Sequence, residues 1–200
     1  MSKLIINDLS CQRGYNQLFT DLSFELNAGE ILRISGSNGS GKTSLLKILA
    51  GLNSPESGFI SYNENDIKSY QYQLDTLYLG HLPALSPELK CMENLKYLTH
   101  LSNEDSKSNF DLALSKAGLE SYKNELTGTL SAGQKRRVAL SALFLSHSKL
   151  WLLDEPFTAL DSYAIEIIEN QIIKHCNEGG LCVLTTHQDC NIKNLKELAL

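Results

Sequence analysis

GSNGSGKT, Gly36 to Thr43, is the stretch on which the fold turns. It satisfies the pattern G-x-x-x-x-G-K-[ST] at every fixed position. The run before it, ILRIS (Ile31–Ser35), is β-rich. The run after it, TSLLKILAGL (Thr43–Leu52), has leucines at helical spacing and stops at the breaker cluster NSPESG. A strand that turns through glycines into a helix is the setting in which this pattern cradles phosphate. Gly36, Gly39 and Gly41 let the backbone curl until its N–H groups face phosphate oxygens. The positive end of the following helix adds to the attraction. Lys42 supplies a point charge at the β- and γ-phosphates, and Thr43 a hydroxyl suited to Mg²⁺. Ser37, Asn38, Ser40 and Ser44 complete the expected nucleotide-binding set. The reading is a site for ATP or GTP.

Three further segments share this chemistry. LWLLDEP (Leu150–Pro156) is a buried apolar strand that delivers Asp154 to the sheet edge where ligands sit in open α/β folds. An aspartate there holds Mg²⁺ through water, and the adjacent Glu155 is placed to orient an attacking water. LCVLTTH (Leu181–His187) repeats the device, with His187 available to the γ-phosphate. LSAGQKRR (Leu130–Arg137) is a second small, hydroxyl-bearing turn that opens a helix, with Ser131 at the N-cap position. Such a turn suits an anion, yet the chain already has a better phosphate cradle.

Strand-like and helix-like segments alternate along most of the chain. LIIND (Leu4–Asp8), LSFEL (Leu22–Leu26), FISY (Phe59–Tyr62) and TLYLG (Thr76–Gly80) read as strands. From about Pro83 to Thr129 the character turns helical: KCMENLKYLTHL, a polar break SNEDSKSN (Ser102–Asn109), then FDLALSKAGL. SAGQKRRVALSALFLSH reads as one long helix, DSYAIEIIENQIIKHC as another, and the residues after LCVLTT as a short tail. The expected fold is α/β, a parallel sheet covered by helices on both faces. Residues 1–82 and 130–200 would form the core, and 83–129 an inserted helical lobe.

With 200 residues the chain is one domain with room for a real core. The net charge of −5 argues against nucleic acid, which needs a broad basic surface. The one basic run, Lys135-Arg136-Arg137, reads as a solvated helix face. Five scattered cysteines, none in CxxC spacing, fit a reducing compartment and give zinc little support. There is neither a CxxCH motif nor a haem ligand set, so no direct haem binding is expected. No segment approaches ~18 continuous apolar residues, and MSKLIINDLS lacks the apolar run of a signal peptide. The expectation is a cytosolic chain, held at a membrane only by an integral partner.

GSNGSGKT, LSAGQ, LWLLDEP, TALD and TTH, in this order and spacing, resemble the ATP-binding subunits of ABC transporters over nearly the whole chain. The resemblance implies a P-loop NTPase fold with an antiparallel β subdomain at its N-terminus. It also accounts for the second anion-holding turn. In that family two subunits pack head to tail, and the LSxGQ turn of one covers the ATP of the other. By this likeness Ser131, Ala132, Gly133 and Gln134 would contact nucleotide held by a second copy of the chain, and Asp161 would lie in the loop crossing between the sites. Catalysis would fall to Glu155, His187 and Lys42, with ATP and Mg²⁺ bound.

Two positions depart from the family. Where an aromatic residue often stacks on adenine stands Arg13, with Tyr15 nearby. Either side chain is available to the base. Where a glutamine usually follows the strand TLYLG stands His81, expected to report to a membrane partner more than to the metal. YLGHLP, LSAGQKRRVAL, LDEPFTALD and TTHQ together resemble the haem-exporter ATPase branch of cytochrome c maturation. That likeness implies integral membrane permeases of the CcmB and CcmC types and a place on the cytoplasmic face of the bacterial inner membrane. The helical lobe would then offer an apolar groove to a permease helix. The ATPase of another ABC exporter, a soluble ABC-type ATPase and a nucleotide switch without turnover stand as alternatives.

Overall fold

The computed structural model describes residues 2–100, 109–188 and 190–200. Two long antiparallel strands, β1 (Lys3–Arg13) and β2 (Asn16–Asn27), open the chain. Then come β3 (Ile31–Ser35), α1 (Lys42–Leu49), β4 (Ser57–Tyr62), β5 (Asn65–Asp66), α2 (Tyr70–Asp75) and β6 (Thr76–Leu79). The helices α3 (Cys91–His100), α4 (Phe110–Lys116) and α5 (Ala132–Leu140) follow. β7 (Leu150–Asp154), α6 (Ser162–Asn177), β8 (Leu181–Thr185) and β9 (Lys196–Ala199) complete it. One sheet is antiparallel, in the order β2-β1-β4-β5; the other is parallel, in the order β6-β7-β8-β3-β9.

The parallel sheet is covered on both faces, and strand alternation decides which residue goes where. Leu150 and Leu152 of β7 and Leu181 and Val183 of β8 face a core shared with α1 and the antiparallel sheet. Trp151, Leu153, Cys182 and Leu184 face the opposite core, with α6, Phe157 and the end of α5. Every residue of β7 and β8 is buried. Each large apolar side chain so placed contributes about 1.5–3 kcal/mol, which fixes the strand ends as rigid mounts. Trp151 also stacks on the His175 ring, with centroids 3.8 Å apart. Burial pushes His175 down to about 4, so it is neutral packing at pH 7.

A third core lies among Cys91, Leu95, Ala113, Leu114, Leu119, Leu130 and Val138. It gathers helices α3, α4 and α5, which follow β6 in the chain. Helix α5 reaches two cores, with Val138 in this one and Leu140 against the sheet.

The structure differs from the sequence expectations at four places. LIIND and LSFEL are parts of strands of 11 and 12 residues, kept continuous through bulged register shifts. The long helix expected from Ser131 stops at Leu140 and tightens into a 3₁₀ turn, Ser141–Phe144. There the Ser141 hydroxyl donates to the Val138 carbonyl at 2.6 Å, offering the backbone a competing bond. The tail contains β9, a parallel strand beside β3. Arg136, expected on a solvated face, is buried. Of the polar break Ser102–Asn109, residues 102–108 lie outside the described residues. Asn109 caps α4, its side-chain oxygen accepting from the Leu112 N–H at 3.0 Å.

Candidate functional site

A cleft of about 860 Å³ opens at the C-terminal edge of the parallel sheet. Asn38, Gly39, Gly41, Lys42, Thr43, Ser44, His81, Glu155 and His187 line it, with Arg13, Asn16 and Leu18 from the antiparallel sheet. Residues from β1, β2, the loop before α1 and its first turn, and the loops after β6, β7 and β8 thus meet in one place.

The glycine loop needs its glycines. Gly41 stands just before α1 with φ +107°, and a Cβ there would come within 3.1 Å of Leu18 Cβ and 3.2 Å of the Phe19 ring. Left-handed backbone and close packing together exclude other residues. Lys42 is buried, and its ammonium donates to the Gly36 and Ser37 carbonyls at 2.8 and 2.9 Å. The loop thereby holds its own cation in its mouth. A phosphate held here would have to replace those two carbonyls, and charge-assisted bonds to phosphate are the stronger kind.

Asp154 ends β7, paired in register with Thr185 at the end of β8. Its Oδ1 accepts from the Thr43 hydroxyl at 3.2 Å and the Thr185 hydroxyl at 2.9 Å. Its Oδ2 is buried without a hydrogen-bond partner. Leaving an anionic oxygen so exposed to a dry interior is costly, and a cation relieves the cost. A hydroxyl and a carboxylate side by side are hard oxygen donors of the sort Mg²⁺ takes. The donor set fits that ion.

Glu155 has a left-handed backbone, φ +50°. Its N–H donates to the Thr185 hydroxyl oxygen at 2.9 Å. One carboxylate oxygen accepts from the His187 N–H at 3.3 Å, and the other is 3.6 Å from His187 Nε2. Thr185 therefore orders both acidic residues at once. Sequence reading did not single it out, although a hydroxyl closing a buried strand at this edge was the available signal.

Of the two residues considered for the base, Arg13 lines the cleft and Tyr15 does not. Tyr15 is fully exposed at the tip of the β1–β2 hairpin. The LSAGQ turn also stays outside the lining residues. Ser131 caps α5 in a reciprocal box: its hydroxyl oxygen accepts from the Gln134 N–H at 3.2 Å, and Gln134 Oε1 accepts from the Ser131 N–H at 2.9 Å. Ser131 and Ala132 face solvent. A Cβ on Gly133 would meet the Ala159 carbonyl oxygen at 2.5 Å, so the turn leans on the TALD loop of its own chain. Asp161 in that loop caps α6, accepting from the Ala164 N–H at 2.8 Å.

The ABC transporter family profile matches residues 19–158. A Cytochrome c biogenesis ATP-binding export protein CcmA of Shewanella oneidensis is 47% identical over 193 residues, covering 94% of this chain and 88% of that protein. A putative ABC transporter ATP-binding protein of Pyrococcus furiosus has the same fold: TM-score 0.86, 24% identity, 99% of this chain and 97% of that one. A dimeric ATP-binding cassette in a post-hydrolysis state, bound to ADP and Pi, aligns with TM-score 0.81 at 23% identity, over 92% and 88% of the two chains. The chain belongs to the ABC transporter ATP-binding family and, within it, to the group of cytochrome c biogenesis ATP-binding export proteins.

Proposed function

We propose that this chain hydrolyses ATP as a peripheral subunit of the haem-handling exporter of cytochrome c maturation. The observation that carries the chemistry is the convergence of Lys42, Thr43, Glu155 and His187 on one cleft, with buried Asp154 bonded to Thr43 beneath it. The relative's printed name supports the place in cytochrome c biogenesis and export.

The triphosphate enters along the loop Gly36–Thr43, and Lys42 turns from the Gly36 and Ser37 carbonyls to the β- and γ-phosphates. Thr43 and, through water, Asp154 would hold Mg²⁺. That ion, when bound, neutralises charge on the phosphate oxygens. Water attacks the γ-phosphorus in line with the departing ADP oxygen. Glu155 accepts a hydrogen bond from that water and orients it, while His187 holds the γ-phosphate. Ser131 of the partner subunit completes the cover over the nucleotide. ATP thereby favours the closed pair, and hydrolysis releases it.

The membrane partners proposed are permeases of the CcmB and CcmC types, at the cytoplasmic face of the inner membrane. The helical lobe leaves Tyr97, Leu112, Tyr122 and Leu126 exposed, with Leu82 exposed just before it, and such side chains are candidates for a partner contact. Among the described residues, no helix is long and apolar enough to cross a membrane, so attachment through such a surface is the route considered.

Two experiments test the reading. Phosphate release by the wild type, and its loss in Glu155→Gln with ATP binding retained, supports turnover; equal release by both chains removes Glu155 from the chemistry. Purification of the tagged chain from gently solubilised membranes should bring down cytochrome c maturation permeases. Recovery of a different permease keeps the transporter and discards the haem assignment.

A further inference from the structure

Arg136 lies in the only basic run of the sequence, yet its side chain is 4% exposed and all its bonds point inward. Nη1 donates to the Gly80 and His81 carbonyls at 2.7 and 3.2 Å. Nη2 donates to the Asp154 and Glu155 carbonyls at 2.7 and 2.8 Å, and Nε to the Pro156 carbonyl at 3.4 Å. These acceptors belong to two segments at the catalytic edge. The β6–β7 ladder has its last rung at Leu79↔Leu153. The next residues, Gly80 and Asp154, are joined through the guanidinium instead. Arg136 thus continues the pairing where the sheet stops.

One of the five acceptors is special. Glu155 is a non-glycine residue at φ +50°, a conformation that persists only when its surroundings hold it. Its N–H is held by Thr185, and its carbonyl accepts from Arg136 at 2.8 Å and from the Thr158 N–H at 3.2 Å. Without Arg136 the carbonyl keeps only the longer bond from Thr158, the Glu155 backbone is freer to relax toward negative φ, and the carboxylate moves with it. Arg136 also sits on α5, two turns at most from Ser131, the residue proposed above to cover a second copy's nucleotide.

We propose that Arg136 is a positioning residue for ATP hydrolysis: it locks the left-handed Glu155 backbone and ties the His81 loop and helix α5 to it. The inference rests on the reading of Glu155 as the residue that orients water. It also gives the two nucleotide sites of a pair a rigid link inside each chain, from Ser131 through α5 and Arg136 to Glu155.

The test compares wild type, Arg136→Lys and Arg136→Gln as full chains with Mg²⁺, measuring ATP turnover and ADP affinity. The expected result is a kcat loss of about 30-fold or more in both variants, the size of a small misplacement of a catalytic group. KM for ATP and the Kd of ADP should stay within about threefold, because Lys42 and its loop are untouched. Lysine should fare little better than glutamine, since one ammonium cannot reach five carbonyls spread over two segments. Should the glutamine variant lose its fold, the lysine variant, which keeps charge and most of the volume, carries the test. Wild-type kcat in Arg136→Lys overturns the proposal, as does a parallel loss of kcat and ADP affinity, the mark of a general structural role. Glu155→Gln is run alongside. Full turnover in that variant overturns the reading of Glu155 itself, whereas its inactivity beside fully active Arg136 variants overturns only the positioning role.

Discussion

The chain has two small glycine-containing turns that each open a helix, and their surroundings differ. The loop Gly36–Thr43 leading into α1 is enclosed: Lys42 is buried in it, Thr43 bonds Asp154, and residues of the antiparallel sheet and of the loops after β6, β7 and β8 line the cleft beside it. The turn Leu130–Gln134 before α5 satisfies its own backbone through a capping box and presents Ser131 and Ala132 to solvent. Both have the positive end of a helix behind them. Only the first has a cation, carboxylates and a cleft of its own. The difference teaches that the second turn is finished as a fold element and unfinished as a site, as the role proposed for it toward another copy's nucleotide would require.

Substitutions in the two turns should therefore fail differently. Lys42→Ala, in the enclosed loop, is expected to cut turnover about 1000-fold, as loss of a charge aimed at the developing phosphate charge does, and to weaken ADP binding in the same chain. Ser131→Arg should cut turnover about 100-fold while leaving the Kd of ADP within about threefold. Parallel weakening of ADP binding by Ser131→Arg would erase the distinction between the turns. Gly133→Ala sharpens it further: the added methyl must displace the Ala159 carbonyl, and turnover should fall about tenfold through misplacement alone. The smallest effect is expected at the base. Arg13→Ala should weaken ADP binding about fivefold, the loss of a modest stacking contact, and more than Tyr15→Ala does. The reverse order in a titration would move the base onto Tyr15.

How much of this was legible in the sequence follows from what each residue's role demands locally. Phosphate binding fixes spacing, so GSNGSGKT and its flanking strand and helix could be read directly. Burial on both faces makes β7 and β8 continuous apolar runs, which placed Asp154, Glu155 and His187 at one edge. Arg136 was not legible, because Lys-Arg-Arg is what a solvated helix face looks like, and only tertiary packing brings five carbonyls around its guanidinium. β9 was missed for a similar reason. Lys196-Glu197-Leu198-Ala199 has helix-forming composition and little burial, and becomes a strand by pairing with β3. Tyr15 fared as an isolated aromatic does near a turn: proximity in sequence put it beside Arg13, and the hairpin points it to solvent.

The measurement that tests the central claim most directly mixes two inactive proteins. Lys42→Ala and Ser131→Arg chains are combined in equal amounts with Mg²⁺ and ATP, and phosphate release is followed. If the LSAGQ turn completes a site on the other copy, a mixed pair contains one site with both defects and one with neither. Activity should return to roughly one quarter of wild type, since half the pairs are mixed and each has one intact site of two. If the turn serves its own chain's nucleotide, every site in every pair carries a defect. Phosphate release would then stay at the level of the separate variants, and the account of the second turn would be wrong.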